Sequence, residues 1–509
     1  MRATWWSLLV LLVADRALLL FHFGAAYTGT DDVVQWLAAS DRLQGVFREP
    51  YFYGQNYNFM LEALLAAPLL VALPHHVALP LATSALALLP WVVFSAVFSR
   101  QGNHLGALVF LLMPLLLPVE HGMLTSMSRG FITGMAPMAL LAVVMFHPLR
   151  ASNHLLLGIA TGLGVTLNPN CIPFLIPVGL HLWLSHRPPW RYALPVAAPV
   201  ALMLSLEHLA KRFYVDHPDQ LTHWMEPLSY WPADVVGAFS RLDMHFAHIT
   251  PLFWSWGWGA PVLLALLAWW SARHDRQWSR VLWITLAATV LMLGINKVSD
   301  GSASLFHHPA RMFLALPLVL ALGLAWSLRG VVMDAGRWRL VMIVMGITVF
   351  TAKAGVLDVL VEKHVRQEDQ GPVAVLHVEA LRWECGELAR LAEAFDAELV
   401  LLVPDWKRTS AMMSIRAYGC PEMEPGLPPT LLQVGERRTW RWHEAQHMVP
   451  SSVIIHGHGL EVHWARRLLG QDLLLPGEDL VVVRNNTRSV AELLALFGLR
   501  LKRHPYGRV

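Results

Sequence analysis

Long apolar segments separated by short polar stretches make up the first two thirds of the chain. Most are long enough to cross the ~30 Å hydrocarbon core of a bilayer as helices. They begin near Trp5, Val77, His104, Gly130, His154, Cys171, Tyr192, Pro251, Val281, Met312 and Trp338. The pattern predicts a polytopic α-helical membrane protein with about eleven transmembrane helices.

One further apolar run, Tyr57–Leu73, is short and carries Glu62 and Pro68. If this run crosses the membrane, the later arginine-rich loops lie outside the cytoplasm. If it rests on the outer face, these loops all lie together on the cytoplasmic side. The positive-inside rule favours the second arrangement. We therefore expect a multi-pass protein with a cytoplasmic N-terminus and an extracytoplasmic C-terminal domain.

The pattern changes near Gly371, where short runs rich in β-branched and other apolar residues begin to alternate with helix-like stretches. The predicted strands are Val373–Val378, Glu398–Val403, Thr430–Val434, Ser452–His456 and Leu480–Val483. Such alternation is typical of a parallel, doubly wound α/β domain. The prediction is a transmembrane domain over residues 1–360, with external juxtamembrane helices within 25–75, and a soluble α/β domain over 371–509.

Composition supports the membrane assignment, since 55% of the residues are hydrophobic and only 15% are charged. The formal net charge of +3 gives no reason to expect a nucleic-acid partner, whereas membrane lipids are expected contacts. Cys385 and Cys420 both fall in the C-terminal domain. In an oxidising compartment they form either a disulfide or two free thiols, and the sequence does not decide between them.

Two adjacent carboxylates, Asp31 and Asp32, follow the first apolar segment at the predicted water edge of the membrane. Aspartate is a favoured residue at helix N-termini, so one interpretation is that the pair caps the helix beginning near Val33. A second interpretation is chemical, because one acid can cap while its neighbour faces a substrate.

The surroundings of this pair resemble a known family. The chain has an N-terminal helix, an acidic pair opening an amphipathic helix, and a Tyr-Gly-Gln-x-Tyr-x-x-x-Leu-Glu run from Tyr53 to Glu62. It resembles the GT-C superfamily of integral-membrane glycosyltransferases, especially bacterial members related to dolichyl-phosphate-mannose–protein mannosyltransferases. The Gly-rich stretch from Gly158 to Asn168-Pro169 is also similar. The segment from Pro309 to Pro317 resembles a late helix start of the family, except that Met312 replaces a tyrosine.

The resemblance implies a hexosyl or pentosyl transferase in a bacterial inner (plasma) membrane, acting on the cell envelope. It would move a sugar from a polyprenyl-phosphate donor to an acceptor on the non-cytoplasmic side. Asp31 would be the general base on the acceptor hydroxyl, with Asp32 beside it as a second catalytic residue. Direct displacement by the acceptor would invert the anomeric centre. The sugar and the acceptor, whether protein, lipid or glycan, stay open.

The leaving phosphate requires positive charge, from a divalent metal (Mg²⁺, Mn²⁺ or Zn²⁺) or from basic side chains. Glu120 and His121, on the next predicted external loop, are the candidate metal ligands, since carboxylate and imidazole suit several divalent ions. A solvated loop is the alternative for this pair. Candidate phosphate-binding residues are Arg129, Lys297, His307, His308 and Arg311.

Three further residues of the first loop, Gln55, Tyr57 and Glu62, either line the substrate site or fix how the short helix leans on the membrane. Asp15 and Arg16 lie within the first apolar segment. Charges at that depth should not face lipid. One interpretation is that Asp15 and Arg16 pair with neighbouring helices, and the alternative is that they contact the carrier phosphate.

A transporter or flippase of lipid-linked sugars is the alternative function, because it would share the hydrophobic helices and the buried Asp15 and Arg16. A transporter should show paired halves or broken helices near the midplane, and the sequence shows no such pairing. A relative that binds a glycolipid without catalysis is a third hypothesis.

The C-terminal domain contains a Gly-rich turn after Ser452 that ends at Gly459. This turn lacks the full dinucleotide-binding fingerprint, so we do not expect it to bind a nucleotide.

Overall fold

The computed structural model describes residues 2–147, 150–186, 193–223, 228–299, 301–330, 335–368, 374–404, 409–457, 466–467, 473–477, 479–484 and 487–500. Helices dominate these ranges. In chain order they are α1 (Arg2–Leu19), α2 (Thr30–Leu43), α3 (Leu61–Ala66), α4 (His75–Arg100), α5 (His104–Leu116), α6 (Val119–Leu124), α7 (Leu141–Phe146), α8 (Ala151–Leu167), α9 (Ile172–His186), α10 (Ala193–Asp216), α11 (Pro232–Phe239), α12 (Leu242–Phe246), α13 (Gly259–Ser271), α14 (Arg276–Leu291), α15 (Asn296–Ser299), α16 (Leu316–Ser327), α17 (Ala335–Glu368), α18 (Val378–Ala394), α19 (Thr409–Met423), α20 (Thr439–Gln446) and α21 (Val490–Leu496). The strands are β1 (Tyr27–Gly29), β2 (Val375–His377), β3 (Leu399–Val403), β4 (Thr430–Leu432), β5 (Ser452–Gly457), β6 (Leu473–Gly477) and β7 (Leu480–Arg484).

The chain divides into two compact units, each built from separate stretches of sequence. We call the first the helical unit; it comprises Met1–Gly24, Pro80–His208 and Pro227–His364. The second, the mixed unit, comprises Ala25–Leu79, Leu209–Glu226 and Val365–Val509. The predicted C-terminal domain therefore shares a unit with most of the predicted juxtamembrane region and with the end of α10.

In the described part of the chain, five helices are long and apolar enough to cross a membrane, as judged by length and composition. They are Arg2–Gly24, His75–Arg100, Ala193–Asp216, Pro309–Ser327 and Gly336–Gln367. Several other apolar helices are shorter, among them α5, α8 and α13. These features are compatible with the predicted helical membrane protein, while the number of eleven crossings stays a prediction.

The predicted segment near Gly130 differs from expectation at its start. Residues 130–135 form turns, and the helical conformation begins only at Ala136 as a short 3₁₀ turn that leads into α7. Gly130 has φ of +74°, in the left-handed region that favours glycine. The chain therefore turns where apolar composition alone predicts a continuous helix.

The C-terminal sheet is mixed, not parallel throughout. Its five strands lie in the order β4-β3-β5-β7-β6. β3 runs parallel to β4 and β5, whereas β7 is antiparallel to both β5 and β6. The prediction of an α/β domain is correct, but its fully parallel sheet is wrong, because short apolar strands look the same in either direction.

The first strand predicted in the C-terminal region does not join this sheet. β2 instead pairs with β1 in an antiparallel ribbon that aligns Tyr27 with His377 and Gly29 with Val375. The ribbon leads directly into α2 on one side and α18 on the other. Two helices distant in sequence therefore begin at one small sheet.

A disulfide joins Cys385 of α18 to Cys420 of α19, with the Cα atoms 5.1 Å apart. α19 also packs against α2, where a Cβ added at Gly419 would lie 3.1 Å from the Val33 side chain. Ser40 of α2 bonds both His75 (2.8 Å) and Glu422 of α19 (2.5 Å). These contacts hold α2, which carries the acidic pair, against the C-terminal domain.

The connection between α10 and α13 contains short helices. α10 extends to Asp216 and is followed by a 3₁₀ turn, Pro218–Gln220, and then by α11 and α12. His458 and Gly459 of the Gly-rich turn lie outside the described residues.

Candidate functional site

The site residues predicted from the sequence fall in both units. Those in the mixed unit are Asp31, Asp32, Gln55, Tyr57 and Glu62. Those in the helical unit are Glu120, His121, Arg129, His307, His308 and Arg311. Each set has its own surroundings.

The two aspartates at the start of α2 have different roles. Asp32 accepts a hydrogen bond of 3.0 Å from the backbone N–H of Gly29, which precedes the helix. This contact satisfies one of the donors left open at a helix N-terminus. The capping interpretation is therefore correct for Asp32.

Asp31 points to a different partner. Its Oδ1 lies 3.3 Å from Nη2 of Arg437, which follows β4, and its side chain remains 37% exposed. Asp31 therefore differs from Asp32 in its partner, which is an arginine side chain instead of the backbone before the helix.

Arg437 has unused bonding capacity. Its guanidinium carbon lies 4.9 Å from the centre of the Phe52 ring, a distance typical of a cation–π contact. Its Nη1 is buried and has no hydrogen-bond partner among the described residues. Asp31 and Phe52 therefore hold the guanidinium in place, and its Nη1 remains a donor that a ligand could use.

Glu49 is a second carboxyl group in this neighbourhood and is only 1% exposed. One oxygen, Oε2, accepts hydrogen bonds from Gly54 N–H at 2.9 Å and from the Tyr214 hydroxyl at 3.0 Å. The other, Oε1, has no hydrogen-bond partner among the described residues. Burial raises the pKa of Glu49 to about 8, although both hydrogen bonds and nearby Arg437 oppose the shift.

Aromatic and ionic side chains surround this part of the mixed unit. The Tyr53 hydroxyl donates to Asp41 at 2.5 Å, and the Tyr53 ring meets Trp440 edge-on with 5.2 Å between ring centroids. Arg48 lies over the same Trp440 ring at 5.2 Å. Asp219, which acts electrostatically on Glu49, is 3.3 Å from Nε2 of His443 on α20.

The other predicted residues of the first loop have structural contacts. Gln55 is buried and forms an isolated bridge with His223, whose ring centroid lies 6.0 Å from that of Tyr57. Glu62 is fully buried in the first turn of α3. Their predicted contact with substrate stays a prediction.

In the helical unit, two of the predicted arginines hold the backbone of one loop. Arg129 donates to the carbonyl of Phe306 at 3.1 Å, and Arg311 donates to the carbonyls of His307 and His308 at 2.6 and 3.1 Å. Both arginines are buried. These arginines therefore order the loop, while their predicted contact with phosphate stays a prediction.

Imidazoles gather beside this loop. The ring of His248 lies 4.8 Å from that of His308 and 6.0 Å from that of His364, measured between centroids. Nε2 of His364 is 3.3 Å from the Glu120 carboxylate. The predicted residues Glu120 and His308 are thus joined by two histidines, His248 and His364, that sequence reasoning did not select.

Burial keeps two histidines of this cluster, His248 and His308, neutral. Burial is the main cause that lowers the pKa of His248 to about 4 and that of His308 to about 3, and Arg311 lowers the latter further. Burial alone would raise the pKa of Glu120, but the bond from His364 and nearby His248 hold it below its usual value. Burial likewise lowers the pKa of His121 to about 3.

The predicted metal ligands Glu120 and His121 are adjacent in α6, but Glu120 bonds His364. The described part of the chain contains no group of three or more His, Cys, Asp or Glu side chains that could hold a metal ion. Metal dependence stays a prediction.

Charged residues in α1 pair with neighbouring helices, the first of the two predicted outcomes. Asp15 forms an ion pair of 2.8 Å with Lys353 of α17. Arg16 donates to the carbonyl of Gly122 and to the Thr125 hydroxyl, both at 3.1 Å. Partners of this kind reduce the cost of placing charge in an apolar segment.

Sequence reasoning missed Glu49, Arg437, His248 and His364 because their partners are distant in the chain. Glu49 did carry a usable signal, since it is an isolated acid directly before the Tyr51-Phe52-Tyr53 aromatic run. No comparable local signal marks Arg437. No family model, curated protein or solved structure matches this chain.

Proposed function

We propose that the protein is a glycosyltransferase that moves a sugar from a polyprenyl-phosphate donor to an acceptor hydroxyl on the non-cytoplasmic side of a membrane. The observation that carries the proposal is the different use of the two acids at the start of α2. Asp32 bonds the helix backbone, whereas Asp31 is positioned by Arg437 and partly open to solvent. The proposal assigns the role of general base to Asp31.

In the proposed reaction, Asp31 accepts the proton of the acceptor hydroxyl as its oxygen forms a bond to the anomeric carbon. The bond from that carbon to the phosphate oxygen breaks, and the electron pair leaves with the polyprenyl phosphate. Attack opposite the leaving group inverts the anomeric centre.

The helical unit supplies the proposed phosphate-binding groups. Arg129, Arg311 and His308 gather around one loop, and an anion bound beside neutral His308 and His248 would favour their protonation. Arginine is well suited to bind phosphate oxygens. A divalent metal stays an additional proposal for neutralising the leaving phosphate.

The disulfide supports the proposed orientation. Such bonds persist mainly in oxidising compartments, and Cys385–Cys420 lies in the mixed unit. This location agrees with an extracytoplasmic C-terminal domain and with a bacterial inner membrane protein whose N-terminus is cytoplasmic.

Transfer can be measured with purified protein in lipid nanodiscs. The donors are radiolabelled polyprenyl-phosphate sugars, an envelope extract is the acceptor source, and the readout is label that leaves the donor. We expect Asp31→Asn to lower transfer by about 10²-fold or more, as is typical for loss of a general base. The matched change at the neighbouring acid, Asp32→Asn, should alter the rate only a few-fold. Equal rates in the three proteins, or no transfer from any donor, would refute the proposal.

A transporter or flippase of lipid-linked sugars is the second candidate, and one observation favours it. Three ionisable residues of α17, Lys353, Asp358 and His364, each pair with an ionisable residue of the helical unit, namely Asp15, His22 and Glu120. Rows of titratable groups within apolar helices are common in transporters. Movement of a fluorescent polyprenyl-phosphate sugar between the leaflets of proteoliposomes, lost in Lys353→Met, would favour this candidate.

A further inference from the structure

Several buried polar atoms in the mixed unit lack hydrogen-bond partners among the described residues. Two of them are Nη1 of Arg437, a donor, and Oε1 of Glu49. The two residues belong to one neighbourhood, since Arg437 acts electrostatically on Glu49. A buried polar atom without a partner costs about 1–3 kcal/mol, and two together mark a place where a ligand can supply the missing bonds.

The charges around these atoms limit the chemistry of that ligand. Arg437 is positive, but Asp31 lies 3.3 Å from it and Asp219 acts on Glu49 from nearby. An anion would meet the two aspartates, and a cation would meet the arginine. A neutral polar group avoids both repulsions.

The bonding capacity points to hydroxyl groups. Glu49 holds its proton near neutral pH, because burial raises its pKa to about 8. Oε1 can then donate when protonated and accept when ionised. A hydroxyl both donates and accepts, so it can bond Glu49 in either state while a neighbouring hydroxyl accepts from Arg437.

One partly exposed ring, that of Trp440, offers the apolar surface that a sugar ring requires, and it contacts both Tyr53 and Arg48. Phe52, whose ring lies against Arg437, and Tyr53 are themselves buried. Partly exposed rings pack against the C–H faces of sugars, while polar groups at the edge fix the orientation. The combination of ring, guanidinium and carboxyl is suited to a carbohydrate.

We infer that Arg437 and Glu49 form a binding site for a neutral, hydroxyl-rich carbohydrate, with Asp31 at its edge. The inference rests on the proposed function and deepens it, because the carbohydrate would be the acceptor. Among protein, lipid and glycan acceptors, this site selects a glycan.

Binding can be tested separately from transfer. The probes are methyl α-D-mannopyranoside, methyl α-D-glucopyranoside and methyl β-D-galactopyranoside, with inorganic phosphate as the anionic probe. The full-length protein is held in phospholipid nanodiscs free of glycoside detergents. Saturation-transfer NMR reports contact with each probe, and hydrogen exchange reports protection of residues 49–54 and 437–443.

We expect at least one glycoside to receive saturation and to slow exchange in both segments of the wild-type protein. Arg437→Gln should weaken binding about tenfold or more, as expected for loss of one strong hydrogen bond. The control is Arg390→Gln, the same change at an exposed arginine that pairs with Glu387 on α18; it should bind as the wild type does. Glu49→Leu, which removes the carboxyl group that would bond the sugar hydroxyl, should also weaken binding.

Several outcomes would overturn the inference. These are no saturation of any glycoside, equal binding by Arg437→Gln and Arg390→Gln, or protection by phosphate instead of sugar. The wild-type exchange result does not depend on any variant folding. Binding without transfer would refute the proposed function alone, whereas Asp31-dependent transfer without glycoside binding would refute this inference alone.

Discussion

Both units contain titratable side chains that burial keeps uncharged. In one unit these side chains lose a proton, and in the other the side chain retains one. In the helical unit, half-buried His248 and buried His308 stay neutral by losing a proton, with their pKa values lowered to about 4 and 3. In the mixed unit, buried Glu49 stays neutral by retaining one, with its pKa raised to about 8. Burial disfavours the charged form of any group, so the residue type decides the direction.

The comparison shows how each site could respond to a ligand. An anion beside His248 and His308 would draw protons into the helical unit. A hydroxyl beside Glu49 needs no change of charge. The first site is therefore suited to charge that develops on a leaving group, and the second to recognition of a neutral molecule.

The largest effect that would test this contrast is on stability, which should depend on pH with opposite sign in the two units. Because the folded-state pKa of Glu49 is raised, its contribution to the stability of the mixed unit is lost as pH rises from about 4.5 to about 8. The pKa values of His248 and His308 are lowered, so the helical unit loses stability as pH falls below about 6.5. The free-energy change should reach several kcal/mol in each unit.

The measurement is heating at a series of pH values, followed by quenching to one pH, brief proteolysis and identification of peptides from each unit. Glu49→Gln should flatten the response of the mixed unit and leave that of the helical unit unchanged. Parallel responses in the two units would contradict the comparison.

The second effect concerns the ion pair between Asp15 and Lys353. Lys353→Ala leaves the Asp15 carboxylate in an apolar setting without its partner, which should cost the helical unit about 3–5 kcal/mol. The double substitution Asp15→Asn with Lys353→Met removes both charges and should recover most of that loss. Denaturation monitored by the same peptides would measure both, and a stable single variant would show that the pair contributes little.

The third effect is confined to the mixed unit. The disulfide joins residues 35 apart in sequence, and breaking it should cost about 3 kcal/mol. Reduction of the wild-type protein should lower the thermal stability of the mixed unit and not that of the helical unit. The double variant Cys385→Ser with Cys420→Ser is the control, since a reductant should no longer change it.

The smallest effect is the difference between the two aspartates in how much each contributes to the stability of α2. Asp32→Ala removes the bond to Gly29 and a favourable charge at the start of α2, which should cost about 1 kcal/mol. Asp31→Ala removes a partly exposed ion pair and should cost less. Hydrogen exchange along α2 measures both, and the reverse order would show that Asp31 has the larger structural role.

Much of the architecture could be predicted because local patterns carry it. Apolar stretches indicated the long helices, and the change near Gly371 indicated an α/β region. Arg129, His308 and Arg311 were listed together because the predicted topology put their loops on one side of the membrane, and they do gather around one loop; their binding of phosphate stays a prediction. Strand direction failed, since the apolar run of β7 reads the same in a parallel or an antiparallel pair.

The candidate site was less predictable for a physical reason. Glu49 bonds Tyr214, and Asp31 pairs with Arg437, through contacts that join distant parts of the chain. No periodicity links such partners, and an isolated arginine is most often a solvated surface residue. The resemblance already implied Asp31 as the general base, but the different contacts of these two chemically identical neighbours became visible only in the structure.

The pairing of β1 with β2 has a consequence for how the protein is made. β1 leaves the ribosome hundreds of residues before the strand that completes its ribbon. Chains fold from the N-terminus during synthesis, so the newly made β1 must wait with open backbone groups until more than three hundred further residues have been made. A chain truncated before β2 would leave that edge permanently uncovered, making it a recognisable target for quality control.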